Sequence, residues 1–189
     1  MGFAIAEQLA TVGAKVILIC GPVQLKTHHP AIQRIGVTSA DEMYAACLEY
    51  FDSCDGAIMT AAVADYAPVK IEKEKIKRTP GNMTIELRPN KDIAAELGKL
   101  KKPNQLLVGF ALESQNEMAN AFSKLKSKNL DMIVLNSLKE EGAGFGYDTN
   151  KISILTRDGQ VFNYPLKSKQ EVAVDIVNKI FEMDHTLHT

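Results

Sequence analysis

The 189-residue chain is 46% hydrophobic and 24% charged, with 22 Lys and Arg against 23 Asp and Glu for a net charge of −1. That composition belongs to one globular domain with a substantial core, and it excludes the whole-surface positive field on which nucleic-acid binders rely. No apolar run approaches the roughly 18 residues of a membrane span, no basic leader opens the sequence, and three cysteines without C-x-x-C spacing predict free thiols in a reducing, cytoplasmic setting rather than a metal site.

In chain order, Met1 to Thr11 sets Phe3, Ala6, Leu9 and Ala10 at helical spacing ahead of Gly13. Lys15 to Cys20 is a β-branched run closed by Gly21-Pro22. These two segments read as the helix and second strand of a βαβ unit. The first strand and its glycine-bearing, phosphate-facing loop are missing from the sequence, so a sheet position is expected to stand empty. Thr38 to Glu42 supplies caps for a helix over Met43 to Tyr50. After Asp55-Gly56, an apolar strand is predicted from Ala57 through Ala64, ending at Asp65 and Tyr66. Small residues and then an acid are what the carboxyl end of a buried parallel strand looks like, and open α/β sheets keep their ligands there.

Lys70, Lys73, Lys75, Lys77 and Arg78 follow within nine residues, a cationic flap able to fold over a polyphosphate. Met83 to Arg88 alternates apolar and polar residues and predicts a half-exposed strand outside the parallel core. Asn90 is placed to cap a helix over Ile93 to Leu100. A strand over Gln105 to Ala111, a helix over Asn116 to Lys128 and a strand over Asp131 to Asn136 come next, with Gly142, Gly144 and Gly146 in the loop beyond. Three strand ends thus carry polar pairs: Asp65 with Tyr66, Glu113 with Ser114, and Asn136 with Ser137.

Arg157-Asp158-Gly159 predicts a hairpin between Lys151 to Thr156 and Gln160 to Tyr164. Val172, Ile176, Val177 and Ile180 give the last helix one apolar face. The expected fold is α/β, a Rossmann-like doubly wound, mostly parallel sheet with helices on both faces and a C-terminal hairpin and helix, in one domain over 1–189.

On residue type alone, Asp65 reads as a ligand-facing carboxylate or as a solvated loop acid, and the lysine run as a phosphate clamp or a solvated face, since Glu72 and Glu74 partly neutralise it. Lys124 and Lys128 share a helix face, where either a ligand or solvent meets them. His28, His29, His185 and His188 have no zinc-site spacing and carry no assignment. The G-x-S-x-G elbow, the Walker loop and the G-x-G-x-x-G fingerprint are absent.

Taken together, Met1-Gly2-Phe3-Ala4-Ile5-Ala6, Gly21-Pro22-Val23, Ala61-Ala62-Val63-Ala64-Asp65-Tyr66, Lys75-Ile76-Lys77-Arg78, Val108-Gly109-Phe110-Ala111 and Lys128-Asn129-Leu130-Asp131 resemble, in order, the bacterial phosphopantothenate-cysteine ligases. The resemblance runs from Met1 to about Lys179. It implies CTP-dependent ligation of 4′-phosphopantothenate with cysteine through an acyl-cytidylate, with Mg²⁺, in coenzyme A biosynthesis. It also implies a homodimer, paired through the strand over Met83 to Arg88, and a fused or associated phosphopantothenoylcysteine decarboxylase. Asp65, Lys75, Asn90, Asp92, Ile93, Phe110, Lys124 and Lys128 match the family's nucleotide-binding positions, and Lys75 is the implied transition-state cation. Lys91 stands where the family has proline, and the flap ends in Lys77-Arg78 where two lysines are usual. Without the family's glycine-rich front segment, weak CTP binding and poor turnover are expected.

Two other readings compete. An NAD(P)-dependent reductase is suggested by the strand ending Ala61-Ala62-Val63-Ala64-Asp65-Tyr66, which resembles the substrate-side strand of short-chain reductases; against it, no dinucleotide fingerprint is present, and the Tyr66 to Lys70 spacing lies in a proline-containing loop rather than on a helix. A non-catalytic nucleotide-binding remnant is suggested by the missing front.

Overall fold

The computed structural model describes residues 1–72, 74–78, 80–113, 116–137 and 148–187, with the side chains of 113, 137 and 184–187 excepted. The glycine loop over Gly142 to Gly146, and with it Lys73, Ser114 and His188, lies outside the described residues. In chain order the elements are α1 (Gly2–Thr11), β1 (Val16–Cys20), β2 (Ile32–Gly36), α2 (Ala40–Phe51), β3 (Gly56–Met59), β4 (Tyr66–Pro68), β5 (Leu87–Pro89) and α3 (Ile93–Leu100). They continue with β6 (Leu106–Glu113), α4 (Glu117–Ser127), β7 (Met132–Ser137), β8 (Thr149–Asn150), β9 (Ile152–Thr156), β10 (Val161–Asn163), β11 (Lys167–Ser168) and α5 (Lys169–Leu187).

The central sheet has the order β10-β9-β7-β6-β3. Strands β3, β6 and β7 are parallel, and the β9/β10 hairpin adds antiparallel strands at one side. β1 and β2 form a separate parallel pair. Side chains along the central strands alternate between two cores, as a period of two requires. Leu107, Ile133, Leu135 and Leu155 pack with Leu97 of α3 and Leu125 of α4 on one face. Val108, Met132, Val134 and Ile154 pack with Ile5 of α1 and Val172 and Ile176 of α5 on the other. Helices therefore cover both faces, as the apolar strands predicted.

Several boundaries differ from the sequence reading. The strand expected through Ala64 leaves the sheet after Met59, whose pairing with Gly109 is the last of its register. The strand expected over Met83 to Arg88 is regular only at Leu87–Pro89, where it pairs antiparallel with Tyr66–Pro68 to form a small arm. Arg88 anchors that arm to the first turn of α2 through Asp41 at 2.5 Å. Asp92, not Asn90, caps α3, its Oδ1 accepting the Ala95 amide at 3.0 Å. β2, which carries only Ile32 and Ile35 among polar residues, was not predicted. Ser39 caps α2 by accepting the Glu42 amide at 3.2 Å, within the capping segment read from sequence.

A charged node joins these parts. Lys101, just after α3, donates to both carboxylate oxygens of Asp131 at 2.7 Å, and the Leu107 amide of β6 donates to Asp131 Oδ2 at 2.7 Å. The Arg157 guanidinium stands 3.5 Å away. The Lys101 and Asp131 side chains are only 7% and 15% exposed, so removing one partner strands a nearly buried charge. Lys101→Met is expected to cost about 3 kcal/mol of unfolding free energy, in the range for broken buried pairs. Urea denaturation checks this, and a loss under about 1 kcal/mol would class the pair with weak surface bridges.

Candidate active site

The carboxyl ends of β3 and β6 open into a recess of about 200 Å³. Its wall includes Asp65, Asn90, Asp92, Ile93, Phe110, Lys124 and Lys128, seven of the eight residues singled out from sequence. Lys75 is not among them and lies exposed on the segment between β4 and β5.

Each wall residue owes its place to a local device. Asn90 donates its backbone N–H to the Asp65 carbonyl at 2.8 Å and its side-chain amide to the Ala64 carbonyl at 2.8 Å. These two bonds clip the departing end of β3 to the approach of α3. The Asn90 Oδ1 is buried with no hydrogen-bond partner, an acceptor left open in a recess that would otherwise be costly. Gly109 lets Phe110 and its strand approach the Leu130 side chain, since a Cβ there would lie 2.6 Å from Leu130 Cδ1. Gly98 does the same for α3, where a Cβ would lie 1.9 Å from the Lys128 carbonyl oxygen. The turn it touches has Asn129 at φ 53°, with the Asn129 amide donating to the Gly98 carbonyl at 2.6 Å.

Lys124 closes the last turn of α4 and Lys128 is its C-cap. The Lys128 Nζ lies 2.9 Å from Asp92 Oδ2. Partial burial works against ionisation of Asp92, but the hydrogen bonds from Lys128 and from the α3 amides outweigh it and hold the carboxyl below its usual range. Lys91, the residue standing in place of proline, also lines the recess, with its ammonium 4.4 Å from the Tyr44 ring centroid, a cation–π contact. The recess thus combines three lysines, the N-terminal end of α3 and two acids, one already engaged by Lys128. Such a wall suits a polyanion that also carries hydrogen-bonding groups.

Sequence reasoning did not place Lys91 in the recess, because its anchor Tyr44 is distant in sequence. Asn136, noted only as a strand-end residue, has a buried Oδ1 without a partner at the carboxyl end of β7. Tyr66 and Lys70, whose spacing would suit a reductase only on a helix, are not on one helix, and Lys70 pairs with Glu72 at 2.5 Å. Among the described residues no group of three or more His, Cys, Asp or Glu is placed to hold a metal ion, and no helix is long and apolar enough to cross a membrane.

Residues 1–183 match the DNA/pantothenate metabolism flavoprotein C-terminal domain. The chain belongs to this family. A solved structure of the C-terminal domain of the coenzyme A biosynthesis bifunctional protein CoaBC is 36% identical with a TM-score of 0.80, covering 96% of this chain and 80% of that one. CoaBC of Bacillus subtilis (strain 168) is 46% identical over 180 residues, 95% of this chain and 44% of that protein. A cysteine/cysteine sulfinic acid decarboxylase from an unknown prokaryotic organism is 55% identical over 185 residues, 98% of this chain and 52% of that protein. The chain spans about half the length of these curated relatives. Membership in this family does not favour the reductase reading.

Two expectations follow from the Asp92 geometry. Asp92→Ala is expected to lose the α3 cap, about 1 kcal/mol, whereas Asp92→Asn keeps the cap and loses only the Lys128 pair. Because the folded-state pKa of Asp92 is depressed, its contribution is present above the unfolded value near 4 and lost as pH falls through the lower folded value. Urea midpoints between pH 2 and 6 should show this acid-side loss in the parent and less of it in Asp92→Asn; identical pH profiles would contradict the assignment. Gly98→Ala should cost about 1–3 kcal/mol by forcing the Lys128 turn outward.

Proposed function

We propose that this domain binds CTP in the recess and joins 4′-phosphopantothenate to cysteine. The observation that carries the reading is the convergence of Lys124, Lys128, Phe110, Asn90 and the capped end of α3 on one recess in a chain of this family. In the first step the phosphopantothenate carboxylate attacks the α-phosphorus of CTP, forming an acyl-cytidylate as pyrophosphate leaves. In the second the cysteine amine attacks the acyl carbon, the amide forms and CMP departs. Neither step needs a protein nucleophile, so positioning and cations that meet developing charge supply the catalysis.

Lys128 is held against Asp92 until a phosphate competes for its ammonium. Lys124 adds charge beside it, and Phe110 offers an aromatic surface for the base. Asn90 keeps a free acceptor for an amine or hydroxyl of the nucleotide. Asp65, exposed at the rim, suits a ribose hydroxyl or a Mg²⁺ that arrives on the phosphates, since Mg²⁺ is commonly held by one or two carboxylates plus substrate oxygens. Lys75 serves as the flap cation that reaches the phosphates when the segment carrying it closes.

A homodimer is part of this proposal. Ile71 is 85% exposed, and Ile76, Met83 and Ile85 beside it are more than half exposed. An apolar surface of this kind on a thin arm suits a second copy. The coenzyme A and decarboxylase names both belong to proteins about twice this length, and the lysine-walled recess favours the nucleotide ligase reading for the half they share with this chain. A decarboxylase fused or associated with this domain belongs to the same reading.

CTP is expected to raise the melting temperature, and ATP and NADPH to do so far less. Lys128→Ala should weaken CTP binding about tenfold, the loss expected for a charged hydrogen bond, by calorimetry. Lys75→Gln should lower CTP-dependent pyrophosphate release while leaving the melting temperature unchanged. Selective stabilisation by NADPH, or none by any nucleotide, would overturn the reading.

A further inference from the structure

Residues 90–92 join β5 to α3 without belonging to a helix or a strand, and all three line the recess. Two of them are tied to elements of the recess itself. Asn90 is clipped to the Ala64 and Asp65 carbonyls, and Asp92 caps α3 and meets Lys128. Lys91, between them, reaches away to α2, where its ammonium lies 4.4 Å from the centroid of the Tyr44 ring. Among the described residues no carboxylate pairs with that ammonium.

The ring is a firm support. Tyr44 is half-buried and packs against the core cluster that contains Ile93 and Leu97 of α3, the helix into which residues 90–92 lead. Three residues earlier on α2, and so on the same helix face, Asp41 receives Arg88 at 2.5 Å. That bridge has side chains 42% and 51% exposed, a setting in which ion pairs hold little. The contact between Lys91 and Tyr44 is different, because the core fixes one of its partners. A lysine leaves φ at its own position free, unlike a proline. Any loosening of residues 90–92 would displace the open Asn90 acceptor and the Asp92 carboxylate together.

We infer that Tyr44, which is outside the recess wall, is a positioning residue for it: by holding Lys91 the ring fixes residues 90–92, and with them Asn90 and Asp92. The chemistry requires an aromatic face on α2 and a cation at position 91, since either one alone makes no cation–π contact. The consequence for CTP rests on the nucleotide reading above, whereas the positioning of the wall does not.

The test uses the 189-residue chain. Tyr44→Leu keeps apolar bulk and removes the ring, while Tyr44→Phe keeps the ring. Amide exchange without nucleotide is followed at Asn90 and Ala95, whose N–H groups donate to the Asp65 carbonyl and to Asp92 Oδ1. The amides of β7, in the centre of the sheet, report the intact fold. Tyr44→Leu should speed exchange at Asn90 and Ala95 about threefold relative to β7, the scale of an exposed cation–π contact, and Tyr44→Phe should leave it unchanged. Lys91→Ala should match Tyr44→Leu, and the two together should do no more than either alone. By calorimetry, Tyr44→Leu should weaken CTP about threefold and Tyr44→Phe should not. Unchanged exchange in Tyr44→Leu, or additive effects of the two substitutions, would overturn the inference, the latter by reducing Tyr44 to a packing residue. So would CTP binding weakened by Lys91→Ala and unmoved by Tyr44→Leu, which would make the lysine a direct ligand contact. If exchange responds as expected and the parent chain binds no CTP, the nucleotide reading fails and the positioning of the wall stands.

Discussion

Asp131 is the constraint on which the rest of the fold leans. Its carboxylate receives Lys101 from the end of α3 and the Leu107 amide at the start of β6, its own N–H donates to the Leu107 carbonyl, and its carbonyl accepts the Arg157 amide from the β9–β10 hairpin. One residue at the root of β7 thereby fixes the height of a helix, a parallel strand and a hairpin relative to one another. A side chain this enclosed would be a liability if unpaired, and its multiple donors turn the desolvation cost into positional information. β6 inherits that registration, and its Gly109 and Phe110 line the recess.

The recess shows how positional control becomes electrostatic control. Asp92 performs two tasks with one carboxylate: Oδ1 caps α3 and Oδ2 holds Lys128. The helix end and the lysine are therefore oriented together, and Gly98 sets how closely the two segments carrying them approach. On the proposed nucleotide reading, an arriving phosphate would meet a cation already in place, with little side-chain freedom left to lose. Lys91 on Tyr44 adds charge at the rim, with no carboxylate partner among the described residues. A proline at that position would rigidify the backbone; the lysine instead uses the ring of α2 as its anchor.

Much of the architecture was legible because it follows local periodicity. The apolar run Met132–Leu135, the bounds of Ile93–Leu100 and the Arg157-Asp158-Gly159 hairpin all express patterns confined to a few residues. What could not be read depends on distant partners. Ala61, Ala62 and Ala64 carry no sign that pairing stops at Met59, because the limit is set by the register with Gly109. Asn90 and Asp92 are both good caps, and the choice falls on Asp92 because the Asn90 side-chain amide is drawn to the Ala64 carbonyl. β2 escaped notice because two isoleucines among polar residues make a strand only beside the apolar β1. Seven of the residues marked by the resemblance meet in one recess, since strand ends and one helix face converge there. Lys75 does not meet them: a charge run reports its sign and not the path of the segment that bears it.

The recess and the larger cavity between β1 and β3 share a wall, formed by the end of β3 and the segment after it. Among the described residues β3 is paired along one edge, and the segment that carries it to Asp65 has left the sheet, so the position of that residue depends on the Asn90 clip and on whatever borders Met59, Ala61 and Val63. Those same three residues form the boundary with the larger cavity. Lys128 and the cap of α3 are set by other contacts: Asp92 joins the two, and Gly98 sets how closely their segments approach. The asymmetry is physical: Lys128 is held through the Asp92 carboxylate, while Ala64 and Asp65 are held through the Asn90 clip.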